Sequence, residues 1–114
     1  MLIGQTIFVP NGTTVTYYGP WMPRQGNTFV AVLEIIKQSA SGWTVTCDIE
    51  TKNAEDADSA VGSPIGTISM TATGTQRATA TGCLELVRTK ISVSGSGGDR
   101  WLHLRTNPPI WQPN

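Results

Sequence analysis

Charge is what this sequence has least of. Only 14% of its 114 residues are Asp, Glu, Lys or Arg, and the eight basic and eight acidic side chains cancel. An average soluble domain is about 25% charged. A nucleic-acid binder needs a basic excess to neutralise phosphates, so DNA or RNA binding is excluded as the main task. A neutral chain with few charges repels its own copies weakly, which suits assembly. Long apolar runs are missing too: no stretch approaches the roughly 18 residues of a membrane-spanning helix, so no membrane partner is expected. The opening Met1-Leu2-Ile3-Gly4-Gln5 has neither a basic segment nor a long apolar one. It does not read as a signal peptide, and synthesis in a cytoplasm is expected.

Cysteine is scarce, with Cys47 and Cys83 alone. In a cytoplasm both stay reduced, and free Cys is by habit a small core residue. A disulfide between two strands is the alternative. The Asn11-Gly12-Thr13 triplet reads as a turn rather than a glycosylation site.

The residues of catalysis are as thin. His103 is the one histidine, and a triad would need a nucleophile beside it and an acid behind it. Both cysteines sit in apolar patterns, where a thiol is inert. Glu55, Asp56 and Asp58 share a loop, but EF-hand spacing and its turn glycine are absent, so a solvated acidic loop is the simpler reading. Asp48, Glu50 and Glu85 could make a carboxylate pair only on facing strands, and nothing in the sequence favours that. No phosphate-binding glycine motif opens a helix, since Gly95 to Gly98 lies between two strands. No Cys/His spacing fits zinc. The expectation is a protein with no catalytic residue, no cofactor and no metal.

Thr is abundant, and Gly (12) and Pro (7) supply turns. Trp43, Val45, Cys47 and Ile49 alternate with Thr44, Thr46, Asp48 and Glu50, the period of a half-buried strand. Ile68, Met70 and Ala72 alternate with Thr67, Ser69, Thr71 and Thr73 in the same way. Phe29 to Lys37 is nearly continuous in apolar residues, a central strand or a helix by periodicity alone. Its β-branched residues and the following Ser39 to Gly42 turn favour a strand that forms a hairpin with Trp43–Thr51. Thr6–Val9 and Thr14–Tyr18 flank Pro10-Asn11-Gly12 as a second hairpin. Leu84 to Val93 changes its apolar parity, which a bulge near Val87 or burial at different places on each face would reconcile. Arg100–Arg105 returns as the last strand, with Trp101, His103 and Arg105 on one face, and Arg77–Thr81 is a weaker strand. Asn53 to Val61 could hold a helical turn capped by Asn53, with Glu55 and Asp56 in its first turn. Seven or eight short strands with frequent turns predict an all-β antiparallel sandwich, jelly-roll-like, over residues 1–106. Residues 107–114 read as an extended tail, because three prolines oppose regular pairing.

Tryptophan is the strongest positive signal. Trp43 belongs to the core by its alternation. Trp21 stands in the Pro-flanked loop Gly19-Pro20-Trp21-Met22-Pro23-Arg24, and Trp111 in the tail. Trp, Met and Arg are enriched at interface cores. Trp21, Met22, Arg24, Ile110 and Trp111 are therefore the candidate protein-interface residues, against the plainer reading that Trp111 folds back onto the domain's end. Exposed Trp faces would also suit sugar stacking, so a carbohydrate-binding module is the alternative.

Three stretches carry a resemblance: Lys52-Asn53-Ala54-Glu55-Asp56, Leu84-Glu85-Leu86-Val87-Arg88, and Trp101-Leu102-His103-Leu104-Arg105 with Pro108-Pro109-Ile110-Trp111. In this order they resemble small β-sandwich structural proteins of tailed phages, of the head decoration or cement type. The resemblance implies a virion protein on the capsid surface that stabilises the lattice without catalysis. It would dock as a trimer or dimer of its own copies on the major capsid protein. It supplies no site motif. A phage tail or adaptor subunit is a further possibility of the same kind.

Overall fold

The computed structural model describes residues 5–107 and 110–112. Among them, ten strands hold the regular structure: β1 (Gln5–Val9), β2 (Thr14–Tyr18), β3 (Met22–Pro23), β4 (Thr28–Gln38), β5 (Trp43–Lys52), β6 (Gly66–Met70), β7 (Gly74–Thr81), β8 (Leu86–Gly95), β9 (Arg100–Thr106) and β10 (Ile110–Gln112). A single 3-10 turn covers Asp58–Ala60. No helix among the described residues is long and apolar enough to cross a membrane.

The strands form two antiparallel sheets. In the first, β7 runs along Thr28–Ile35 of β4, while β9 pairs with Leu33–Gln38 and β10 with Thr28–Val30 of the same strand. A strand has one neighbour on each side, so β9 and β10 lie end to end on the edge that β7 does not occupy. Between them the Asn107 amide donates to the Val32 carbonyl (3.2 Å). In the second sheet β5 spans the whole of β8, so β2 and β3 share the other edge of β8, interrupted at Gly19-Pro20-Trp21. With each interrupted pair counted as one strand, the sheets read β1-β9/β10-β4-β7 and β2/β3-β8-β5-β6. Eight strands in this order are a jelly roll. The fold expected from the alternation is the fold observed.

The connections differ from expectation. Pro10–Thr13, Ser39–Gly42 and Ser96–Asp99 are not hairpin turns, because each joins a strand of one sheet to a strand of the other. Packed sheets lie about 10 Å apart, and four residues reach roughly 13 Å when extended, so a link of hairpin length suffices to cross. The three crossings meet at one end of the sandwich. Gly12 donates to the Gly95 carbonyl (3.0 Å) and Ser96 to the Gly42 carbonyl (2.9 Å). The Arg100 guanidinium reaches the Ser41 (2.5 Å) and Ser96 (3.1 Å) carbonyls. Gly42 has φ +101°, and a Cβ there would stand 2.8 Å from the Ser96 oxygen, so this corner requires glycine.

The core fills the space between the sheets. Ile7, Val9, Phe29, Ala31, Leu33, Ile35, Leu102 and Leu104 enter from one side, and Trp43, Val45, Cys47, Ile49, Ile68, Met70, Val87, Ile91 and Val93 from the other. Burying one such side chain contributes roughly 1.5–3 kcal/mol. The Trp43 indole N–H, the polar atom of the largest core residue, donates to Gln38 (2.6 Å).

Local departures have simple causes. Pairing of β8 with β5 is regular from Leu86 to Gly95, so no bulge occurs at Val87. Leu84 is exposed in the preceding loop, which accounts for the change of parity. The irregularity lies in β4 instead, where Ile36 is inserted between Ile35 and Lys37. Ala72 falls beyond the end of β6 and is exposed, and Cys83 lies after β7 rather than within a strand, though it is buried. The 3-10 turn is preceded by Ala57 with Asp58 in its first turn, while Asn53 begins a separate turn closed by Asp56. Ile110–Gln112 does pair regularly, since this triplet contains no proline.

Candidate functional site

Two surfaces gather the side chains that could act on a partner. The first is on the outer face of the second sheet. Alternation along β5 and β8 turns Glu50 and Arg88 outward, and the register sets them opposite each other. The Arg88 Nε donates to Glu50 Oε1 (2.8 Å). Its guanidinium lies 4.3 Å from the ring centroid of Tyr18 and 4.3 Å from that of Trp21. Trp21 reaches it because the β2–β3 interruption bends the chain there. The Trp21 indole N–H donates to Asp58 Oδ1 (3.1 Å), and Lys52 Nζ lies 4.9 Å from the ring. The same ammonium donates to Asp58 Oδ1 and to the Asp56 carbonyl, both at 2.8 Å. The Lys52 bond, ahead of the Trp21 bond and the Arg88 charge, holds the Asp58 carboxyl below its ordinary range. Arg88 and Lys52 each already have an anion and a ring.

The second surface is the outer face of the first sheet. Phe8 on β1 stands directly opposite Trp101 on β9, exposed by 57% and 40%. His103 follows on the same face, hydrogen-bonded to Thr6 Oγ1 through Nδ1 (3.0 Å). Ile36, pushed out by the β4 bulge, is 40% exposed beside it. Arg105 then pairs with Glu34, and Ile110 is exposed further along. At this end Lys37 is also exposed, opposite His103 in the register, so the face is mainly apolar at one end and ionic in its middle.

No protein-family model matches the chain, and no curated protein matches it in sequence.

The five residues expected at an interface divide between the sheets. Trp21 belongs to the Arg88 cluster. Met22 is half-buried against the core, and Arg24 donates through Nη1 to the Cys83 carbonyl (2.8 Å). Trp111 packs edge-on against Phe29, with centroids 4.9 Å apart. Of the five, Arg24 and Ile110 are exposed. The sequence placed Trp101, His103 and Arg105 on one face correctly, but missed Phe8, Ile36, Tyr18, Lys52 and Arg88. Phe8 carried a signal, since it breaks parity with the buried Ile7 and Val9. Arg88 becomes legible only when β8 is known to lie beside β5.

Burial pushes the Cys47 thiol up to about 12 and raises that of Cys83. Glu85 accepts from the Ala54 amide (3.0 Å). Among the described residues, no three His, Cys, Asp or Glu side chains are placed to hold a metal. An open cleft of about 520 Å³ beside the sheet crossings is lined by glycine backbone, the edge of Trp43 and hydroxyls including Thr14, Thr44, Thr71 and Ser94. No ionisable side chain lines it, so it offers hydrogen bonds without a charged acid or base.

Proposed function

We propose that the chain is a non-enzymatic structural protein of a phage particle, a decoration or cement subunit bound to the major capsid protein on the outside of the head. The observation that carries this reading is the exposed group of Phe8, Trp101 and Ile36 on the outer face of the first sheet. Large apolar side chains gathered on one face mark an interaction surface. Aromatic residues are favoured in interface cores. Two supports are independent of it. The chain carries no net charge to repel neighbouring copies, and many copies on one lattice turn modest contacts into durable binding. The jelly roll is also a fold used by capsid proteins.

The test is sedimentation of the native lysate through a density gradient, with the chain followed by mass spectrometry. Co-migration with a large particle, in many copies, is the expected result. The chain remaining at the top would overturn the assignment. Trp101→Ala should then weaken particle binding, raising the apparent Kd roughly 30-fold for an interface hot spot.

A carbohydrate-binding module is the second reading. The charge-free, hydroxyl-lined cleft favours it, as does Tyr18, exposed at the rim of the Arg88 cluster. Quenching of tryptophan fluorescence by an oligosaccharide, in protein that does not travel with particles, would select it.

A further inference from the structure

The two sheets have four edges, and three are guarded. β1 stops at Pro10; β6 has only five residues; the β2/β3 edge is broken by Gly19-Pro20-Trp21 and ends in Pro23. The fourth edge is β7. It runs eight residues, Gly74–Thr81, in unbroken register with β4. It contains no proline, no lysine and no bulge, and Arg77 is its one charge. No described strand pairs with its outer side. Natural sheets protect an exposed edge with charge, proline, irregularity or shortness. β7 has almost none of these.

We infer that β7 pairs with β7 of a second copy, joining the two first sheets into one continuous sheet about a two-fold axis. The choice of occupant follows from the strand's own sequence. In an antiparallel pair, directly opposite residues share a face. A two-fold axis normal to the sheet therefore sets residues of like parity against each other. The like-parity register centred on Ala78 pairs seven of the eight residues: it places Ala78 opposite Ala78 of the second copy, Arg77 opposite Thr79, Gln76 opposite Ala80, and Thr75 opposite Thr81. No like charges meet. The inner-parity residues Ala78 and Ala80 are small, and the outward row holds three threonines beside Arg77, which suit cross-strand pairing. Such an isologous contact closes on itself and gives a dimer. This inference does not rest on the particle role, because the pairing needs only the purified chain.

Sedimentation velocity of the full chain over a concentration series tests it. Wild type is expected to pass from monomer to dimer. Thr79→Glu puts a carboxylate opposite Arg77 in both symmetry-related pairs and should tighten the dimer roughly 2- to 30-fold. Thr79→Lys should loosen it by a similar factor. Thr79 is exposed, so neither variant disturbs the core. Ala78→Cys should cross-link between copies under mild oxidation, whereas Thr67→Cys on the β6 edge should not. A wild type that stays monomeric at every concentration overturns the inference, as does a dimer indifferent to both Thr79 variants. Failure of the gradient experiment would remove the particle role and leave these results standing.

Discussion

Arg88 holds three separate pieces of chain at one point. Its partners come from β2 (Tyr18), the β2–β3 link (Trp21) and β5 (Glu50), and the Asp58 carboxylate lies 3.7 Å away. The Arg88 and Glu50 side chains are each only 12% exposed, so removing the cation strands a largely buried carboxylate. Arg88→Ala should lower unfolding stability in urea by about 3 kcal/mol, near the lower end for a broken buried pair. Arg88→Lys should recover only part, because an ammonium lacks the planar fork and stacking face of guanidinium. Asp58 adds a dependence on pH. Its carboxyl is lowered in the folded state, first by the Lys52 hydrogen bond, from an ordinary value of 3.8. The linked stabilisation is complete above 3.8 and is lost as pH falls further, through the folded-state value. The gap in melting temperature between wild type and Asp58→Asn should therefore be widest near neutrality and close in acid below 3.8.

β10 shows how a short element completes a sheet. Its three residues extend the line of β9 along β4, and Trp111 closes the end of the core over Phe29. Gly26 makes the seat, since a Cβ there would collide with the Gln112 carbonyl. Trp111→Ala should cost about 1–3 kcal/mol in a denaturant titration, less than the roughly 3–5 of a fully buried aromatic because Trp111 is only half-buried. An unchanged midpoint would show that β10 adds nothing to the core. The element scale is also where the sequence was most and least legible. Alternation at Trp43–Glu50 and the apolar run from Phe29 located β5 and β4 because period and burial are local properties. Their partners were not legible. A four-residue link such as Ser39–Gly42 fits a hairpin and a sheet crossing equally well, and the choice depends on β7, β8 and β9, which are distant in sequence. The Arg88 cluster was hidden for the same reason, its members spanning Tyr18 to Arg88. Trp111 drew attention as a residue type, but its role as a core plug depends on where β4 runs.

At the scale of the molecule, β5 and β6 are the only consecutive strands among the described residues that pair with each other, and even they are separated by a long loop. Every other ladder joins distant segments. Refolding from denaturant should accordingly be slow for this size, in the millisecond-to-second range of sandwich folds, as read by stopped-flow tryptophan fluorescence. A microsecond phase carrying the full amplitude would contradict the long-range origin of the core. Cys47 lies between the two sheets with its thiol pushed up to about 12, and Cys83 is buried as well. Alkylating reagents attack thiolate, so the Cys47 sulfur does not react while the sandwich is shut. The mass gained at Cys47 over time in such a reagent thus becomes a clock, counting how often the two layers part.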